Sequence, residues 1–230
     1  ASLSVPPVLL ARSSSRVFLV KGVLGFAVGL LVLLSSSVEA GAQAGAGDAA
    51  HQQHRALLMQ AESDFARGAL QEGLAAADEA LAIAEAAQDP LRIAAARVVR
   101  GNLLLAGGDA EAAARSFERV VEASRSGPLA VSALRETALL NLANARIALG
   151  DRATASGLYA EVVASADARG DAEAAVRAGV NELRAQIDSP VGAFDWDAAT
   201  ATRKSALGLP DSANKAMLLV HLGGTFARAA

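Results

Sequence analysis

The stretch from Arg97 to Val120 reads RVVRGNLLLAGGDAEAAARSFERV, and a related stretch, LLNLANARIALGDRATASGLYAEVV, runs from Leu139 to Val163. The first contains residues spaced 7, 5, 4 and 3 apart, which are Gly101, Gly108, Ala113, Phe117 and Val120. The same intervals recur 42 residues later, at Ala143, Gly150, Ala155, Tyr159 and Val162. A weaker copy, with its marker glycine 40 residues before Gly108, contains Ala61, Gly68, Gly73, Ala77 and Ala80. The chain therefore contains an internal repeat of about 40 residues.

The residue types at these spacings predict pairs of antiparallel helices. Gly108 and Gly150 are expected to end one helix, where a residue with positive φ is needed, and Asp109 and Asp151 to cap the next. The small residues seven before and five after each glycine are expected where the paired helices cross, because bulky side chains there would separate the axes. The aromatic and β-branched positions then fill the space to the next pair.

Composition supports an all-helical fold. The chain of 230 residues has 57 alanines, 53% hydrophobic residues, only 3% aromatic residues and no cysteine. Alanine has the best helix propensity, whereas all-β folds need residues that are scarce here. The absence of cysteine excludes disulfides, thiolate metal sites and a cysteine nucleophile in these residues. Capping and breaker patterns predict helices near 50–67, 70–87, 90–106, 109–124, 128–149, 151–168, 171–187, 195–207 and 211–229.

The two quoted stretches resemble tetratricopeptide repeats (TPR) in a longer form of about 40 to 42 residues, over roughly residues 54 to 230. Gly101-Asn102 and Gly108-Asp109 are the best-kept dipeptides. The resemblance implies a right-handed α-solenoid of TPR-like helix pairs, with units at about 54–92, 93–134, 135–171 and 172–209 and a partial unit at 211–230. The chain departs from the pattern at Gly73, in an insertion at 188–196, and in lacking the usual tryptophan and tyrosine.

A second resemblance concerns the end of the chain. Leu209-Pro210-Asp211-Ser212, followed by Lys215-Ala216-Met217-Leu218-Leu219 and Leu222-Gly223, is similar to helical arrays that precede a caspase-like CHAT domain in bacterial proteins. The histidine and cysteine of such a protease domain are not among these residues. Because the last predicted helix has no partner helix after it, we expect the sequence to be a fragment.

Residues 1–44 are interpreted as a signal peptide. Three basic residues, Arg12, Arg16 and Lys21, precede the apolar run GVLGFAVGLLVLL at 22–34, which is too short to span a bilayer as a helix. Small-x-small patterns follow, and cleavage is expected after Ala44, with 45–53 as a flexible spacer. The protein is then exported, to the periplasm or outside the cell. The alternative is an uncleaved anchor that begins near Val17.

The charge argues against nucleic acid as a partner. Without residues 1–44 the chain has 18 basic and 23 acidic residues, a net charge near -5, and it has no basic stripe with interleaved aromatic residues. Contact with a membrane is expected only through the N-terminal signal or anchor.

No catalytic motif is present. The sequence lacks a nucleophile elbow, a phosphate loop, an H-E-x-x-H pair and a dinucleotide fingerprint, so no enzymatic role and no cofactor are predicted. His51 and His54 offer at most half of a metal site and are expected to be exposed in a fraying first turn, so no metal is predicted. His221 is interpreted as a packed or rim histidine.

The candidate binding residues lie on the first helix of each predicted pair. Asn102, Asn144 and Asn181 are spaced 42 and then 37 residues apart. The resemblance implies that this helix lines a concave groove and that the three amides bind the main chain of an extended peptide. Asn141, Arg177 and Arg184 are expected on or beside the groove, where the arginines suit a carboxylate. The alternative is that the asparagines bond to a neighbouring helix.

Phe194 and Trp196 interrupt the repeat, either as a contact for a partner or, as we favour, as packing that fills the longer connection. The resulting hypothesis is an exported scaffold that binds a segment of a partner protein, or of its own C-terminal part, in its concave groove. The alternatives are the regulatory arm of a larger CHAT-type protease whose catalytic domain lies beyond residue 230, and a membrane-tethered assembly factor.

Overall fold

The computed structural model describes residues 46–187 and 194–230. In these ranges the protein is all-helical, with no β-strand. The α-helices are α1 (Ala46–Arg67), α2 (Leu70–Ala86), α3 (Pro90–Ala106), α4 (Ala110–Ala123), α5 (Ala133–Ala148), α6 (Arg152–Arg169), α7 (Ala172–Ile187), α8 (Trp196–Gly208) and α9 (Ala213–Ala229). A short 3-10 helix, Gly127–Val131, precedes α5. The all-α prediction is confirmed for this part of the chain.

The predicted helix boundaries at the marker glycines are confirmed. Gly108 and Gly150 have φ of +89° and +83°, in the left-handed region where glycine carries no steric penalty. Asp109 then caps α4 by accepting from the amide of Ala112 at 2.9 Å. Asp151 caps α6 in the same way, with the amide of Thr154 at 3.2 Å. The Gly-Asp dipeptide therefore ends one helix and starts the next.

Two predicted boundaries differ from the structure. Helix α1 begins at Ala46, so most of the segment expected to be a flexible spacer is its first two turns. Alanines and an acidic residue in the first turn, Asp48, favour helix there. The helix expected at 128–149 is divided, because Ser132 is extended (φ -89°, ψ 149°) between the 3-10 helix and α5.

Each helix packs against the helix that follows it in the chain. The connections between α1 and α2, α3 and α4, and α5 and α6 are two or three residues long, so the chain reverses direction within each pair. Helices α1, α3, α5, α7 and α9 are called the first helices below, and α2, α4, α6 and α8 the second helices. The core lies between the helices and is rich in alanine, leucine and valine.

The helix crossings depend on small residues, as the repeat predicts. A β-carbon at Gly101 would lie 2.5 Å from Cε1 of Phe117, and Phe117 itself is fully buried. In the next pair Ala143, Ala155 and Tyr159 are almost completely buried. These positions have no room for larger side chains.

Gly73, a departure from the repeat pattern, also lies at a crossing. A β-carbon there would come within 3.0 Å of the carbonyl oxygen of Ala61 and 2.9 Å of Cδ2 of Leu103. The glycine is therefore explained by the close approach of α1 and α2, with α3 beside them.

The interpreted signal peptide at 1–44 lies outside the described residues. Among the helices of 46–187 and 194–230, none combines the length and the apolar character needed to cross a bilayer.

Candidate functional site

The first helices form a continuous layer. Each first helix contacts the next first helix, in addition to the helices that precede and follow it in the chain: α1 contacts α3, α3 contacts α5, α5 contacts α7 and α7 contacts α9. Within the described ranges, the second helices make no comparable contacts with one another. A surface shared by successive first helices is therefore the place where side chains from several pairs come together.

Asn102 and Asn141 join two first helices across this layer. The side-chain Nδ2 of Asn141 on α5 donates to Oδ1 of Asn102 on α3 at 2.8 Å, and both residues are partly exposed. This bond uses one donor and one acceptor of the two amides. The NH2 group of Asn102 and the carbonyl of Asn141 still offer donors and an acceptor to a further group.

Asn144 is engaged within its own pair. The hydroxyl of Tyr159 on α6 donates to Oδ1 of Asn144 at 2.6 Å. Burial raises the pKa of Tyr159, so the hydroxyl stays protonated and remains a donor. This contact matches the alternative interpretation of the asparagines, in which the amide bonds to a neighbouring helix.

Asn181 does not share the environment of Asn144. It is only 9% exposed. Three buried residues of α5, Ala138, Leu142 and Ala145, would correspond at an offset of 37 to Ala175, Gly179 and Glu182, which are all half-buried. The offset of 37 therefore does not preserve the repeat, and the expectation of matched places for all three asparagines is wrong at Asn181. The sequence has no glycine after α7 at the place of Gly150, so it provides no marker that fixes this offset.

The two arginines expected beside the groove lie on α7. Arg177 forms an ion pair with Glu173 at 3.0 Å. The same Glu173 oxygen accepts from Nδ2 of Asn214 on α9 at 2.9 Å, so this group also joins two first helices. Arg184 lies near enough to Tyr159 and His221 for its positive charge to act on both groups, but burial has the larger effect: it raises the pKa of Tyr159 and lowers the pKa of His221. A carboxylate of a partner would compete with Glu173 for Arg177.

Glu62 was missed by the sequence analysis. It follows Ala61 as Asn102 follows Gly101 and Asn144 follows Ala143, so it occupies the asparagine position of the first pair. Burial raises its pKa from 4.5 to about 7. The weaker copy of the repeat was enough to identify this position, because alignment of its marker glycine Gly68 with Gly108 places Glu62 in register with Asn102.

The histidines differ from expectation. His54 is 4% exposed, with its Nε2 3.3 Å from the carbonyl oxygen of Arg92, and burial lowers its pKa. The expectation that His51 and His54 lie exposed in a fraying first turn is therefore wrong, because His54 is buried and His51 is half-buried. The cause is the earlier start of α1, which places His54 inside a stable helix packed on α3. No cluster of three or more potential metal ligands occurs in the described residues.

Trp196 combines the two roles considered for it. Its ring contacts Phe194 edge-to-face at 4.9 Å and stacks on Phe226 of α9 at 5.9 Å. It is nevertheless 47% exposed. The tryptophan therefore connects the start of α8 to α9 and leaves one part of its ring accessible.

No protein-family model matches the chain, and no curated protein sequence matches it.

Proposed function

We propose that the described helices form a right-handed α-solenoid of TPR-like pairs, and that the first helices line a concave groove that binds an extended segment of a partner protein. The observation that supports it best is the hydrogen bond between Asn102 and Asn141, which places two amides side by side on adjacent first helices. The contacts between successive first helices support the same arrangement. In a curved array, successive helices on the inner side lie closer to one another than successive helices on the outer side, and here the first helices contact one another whereas the second helices do not to a comparable extent.

Helix α5 supplies the centre of the proposed groove. Its residues at intervals of three and four share one face of the helix and are half-buried or exposed. They are Ala133, Thr137, Asn141, Asn144 and Ala148. Such a face is uncharged, and it suits a peptide that lies along it without a requirement for particular side chains.

The chemistry of the amide pair fits a peptide backbone. The NH2 group of Asn102 can donate to a main-chain carbonyl, and the carbonyl of Asn141 can accept from a main-chain N–H. Both groups are partly exposed and held by their mutual bond, so little side-chain entropy is lost when the peptide binds. Recognition through the main chain predicts a broad range of partner sequences.

The test selects binders from a library of unstructured peptides displayed on phage, using the full chain as bait. The selected peptides are then measured against the double variant Asn102→Ala/Asn141→Ala, which removes both partners and leaves no unpaired amide. We expect at least about a tenfold loss of affinity. N-methylation of the peptide main chain is expected to weaken binding as strongly.

A matched control is Ser156→Ala. It also removes one interhelical hydrogen bond of 2.8 Å, from Ser156 on α6 to Glu182 on α7, but away from the amide pair. Binding should be unchanged in this variant. Equal affinity of the double variant and the control for every selected peptide would exclude the groove, provided that both retain the far-ultraviolet circular dichroism of the parent.

We also propose that the protein is exported by the interpreted signal peptide at 1–44. The support is the order of basic residues, apolar run and small-x-small patterns. Mass spectrometry of the protein recovered after secretion tests this: a new N-terminus at Gly45 is expected, whereas retention of residues 17–34 in the membrane fraction would favour the anchor.

A further inference from the structure

Glu62 takes on α1 the place that Asn102 takes on α3. It directly follows Ala61, which is fully buried at the crossing of α1 and α2. Asn102 accepts from Asn141 of the next first helix, so its side of α3 is turned toward α5. By the same register, Glu62 lies on the side of α1 that is turned toward α3. The carboxyl group is therefore one helix away from the amide pair.

The repeat places an apolar residue opposite Glu62. The offset of 42 residues between the pairs α3–α4 and α5–α6 relates Asn141 to Val99. Val99 is 7% exposed, and its side chain has no polar atom that could bond to a carboxyl group. No hydrogen bond or ion pair to Glu62 occurs in the described part of the chain. The half-buried carboxyl group therefore has both oxygens unused.

The basic residues of the surrounding helices do not neutralise Glu62. Each arginine of α3 forms an ion pair with another acidic residue, and these pairs are Arg92–Asp89, Arg97–Glu85 and Arg100–Asp78. Helix α2 has no basic residue. On α1, Arg67 pairs with Asp64, and Arg55 lies two helical turns away, a rise of about 10 Å. Burial raises the pKa of Glu62 to about 7, and no positive charge within the described ranges opposes it.

We propose that Glu62 binds a lysine or arginine side chain of the segment held in the groove, an inference that rests on the proposed function. A basic side chain supplies what the surroundings of Glu62 lack, because its charged head donates to the carboxylate while its aliphatic stem packs on apolar surface. The equivalent faces of the next two first helices carry no charge. They are Leu91, Ala95, Val99, Asn102 and Ala106 on α3, and Ala133, Thr137, Asn141, Asn144 and Ala148 on α5. A single basic residue is therefore expected in the part of the segment that lies across α1, α3 and α5.

A protonated Glu62 that binds the peptide main chain is the competing arrangement. A protonated carboxyl group has a donor and an acceptor, as the amide of Asn102 has. The amide, however, is held in place by its bond to Asn141, whereas Val99 gives Glu62 no such bond. Glutamine imitates the protonated form, so Glu62→Gln weakens binding in the proposed arrangement and preserves it in the competing one.

The first test is a selection from the phage library of unstructured peptides at pH 8, where Glu62 is mostly ionised. The full chain and its Glu62→Gln variant serve as baits in parallel. We expect lysine or arginine to be enriched at one position of the peptides selected by the parent. The peptides selected by the variant should show no such enrichment.

The second test measures affinity by fluorescence anisotropy with synthetic peptides. Their N-termini are acetylated, so that only a side chain supplies the positive charge. Glu62→Gln should weaken a basic peptide at least about tenfold, and so should glutamine in place of the basic residue of the peptide. Both changes together should weaken binding no more than either one alone, because each breaks the same ion pair. Glu62→Lys should prefer the peptide that has glutamate at this position.

Glu72→Gln is the matched control. It removes the same charge from an exposed residue of the second helix α2. Affinity for the basic peptides should be unchanged in this variant. An equal loss in the Glu62 and Glu72 variants would overturn the proposal, because it would indicate a general attraction between an acidic protein and basic peptides.

Two further results would overturn the proposal, and they differ in what they leave standing. Selected peptides that are weakened by Asn102→Ala/Asn141→Ala, but show no basic preference and keep their affinity for Glu62→Gln, would leave the groove in place without a role for Glu62. If the double variant weakened no selected peptide, the groove itself would be excluded, and the role of Glu62 in it as well.

Discussion

The ring of Phe117 lies so close to the backbone of Gly101 that a β-carbon there would fall 2.5 Å from Cε1. The next pair has Ala143 and Tyr159 at the same spacing, both buried. A small residue on the first helix and a ring on the second therefore recur as one unit of packing. The distance between the helices of a pair depends on both members.

Replacement of Gly101 by alanine tests this contact. The added methyl group must displace the ring of Phe117, and such overpacking costs about 1–3 kcal/mol. Alanine has a higher helix propensity than glycine, which offsets up to about 1 kcal/mol of this cost. We expect the free energy of unfolding, measured by urea denaturation, to fall by about 1–2 kcal/mol.

Gly157→Ala is the matched control, because Gly157 lies inside α6 with nothing within 4 Å of a built β-carbon. It should raise the stability by roughly 0.5–1 kcal/mol. If Gly101→Ala were stabilising by the same amount, the close contact with Phe117 would be disproved.

Glu62 should make the stability depend on pH. Its pKa is about 7 in the folded protein against 4.5 for an ordinary glutamate, so between these values the folded state binds more protons than the unfolded state. The free energy of unfolding is therefore expected to fall as the pH rises from about 5 to 8. Glu62→Gln should remove most of this slope and stabilise the protein at pH 8 by about 2 kcal/mol, which is less than the full effect of the pKa shift because the half-buried carboxylate is partly screened by solvent.

The control for this experiment is Glu122→Gln on the exposed side of α4. Its pH profile between 5 and 8 should match that of the parent. A Glu62→Gln protein with the full parental slope would show that another group is responsible.

The hydrogen bond from Tyr159 to Asn144 is expected to stabilise the pair α5–α6. Tyr159→Phe removes the hydroxyl and keeps the ring in the crossing, so we expect a loss of about 0.5–1.5 kcal/mol. A double-mutant cycle with Asn144→Ala measures the coupling between the two residues by urea denaturation. Additive effects of the two substitutions would mean that the bond contributes nothing to stability.

Trp196 is the only tryptophan of the chain, so its fluorescence reports on the packing of α8 against α9. Phe226→Ala removes the stacked ring, and we expect a red-shifted emission and stronger quenching by iodide. Met59→Ala, at an exposed residue of α1, should leave both unchanged. An unaltered emission in the Phe226 variant would indicate that the stacked arrangement is not populated.

Much of the local structure was predictable. Gly108 and Gly150 end helices because a residue with positive φ is required there, and Asp109 and Asp151 cap the next helices through their own side chains. The spacing alone predicts that Gly101 lies at a helix crossing, because it is seven residues before the marker glycine Gly108. These features depend on contacts within a few residues or within one repeat.

The environment of the candidate site was less predictable. Its contacts join residues that are 15 to 39 positions apart in the sequence. They are the hydrogen bond between Asn102 and Asn141, the bond from Tyr159 to Asn144, and the contact of His54 with the carbonyl oxygen of Arg92. Spacing shows that asparagine recurs, but a half-buried amide bonds to whichever partner the packing of neighbouring helices brings within reach.

The sequence by itself determined the helices, their ends and the small residues at their crossings, because propensity, capping and glycine geometry act locally. Only the tertiary structure decided the burial of particular residues. It shows that Asn181 is buried and does not take the repeat position of Asn144, that Glu62 is desolvated and that Val220 is exposed. Burial is a property of the surrounding helices, and it changes with their position in the array even when the residue and its spacing do not.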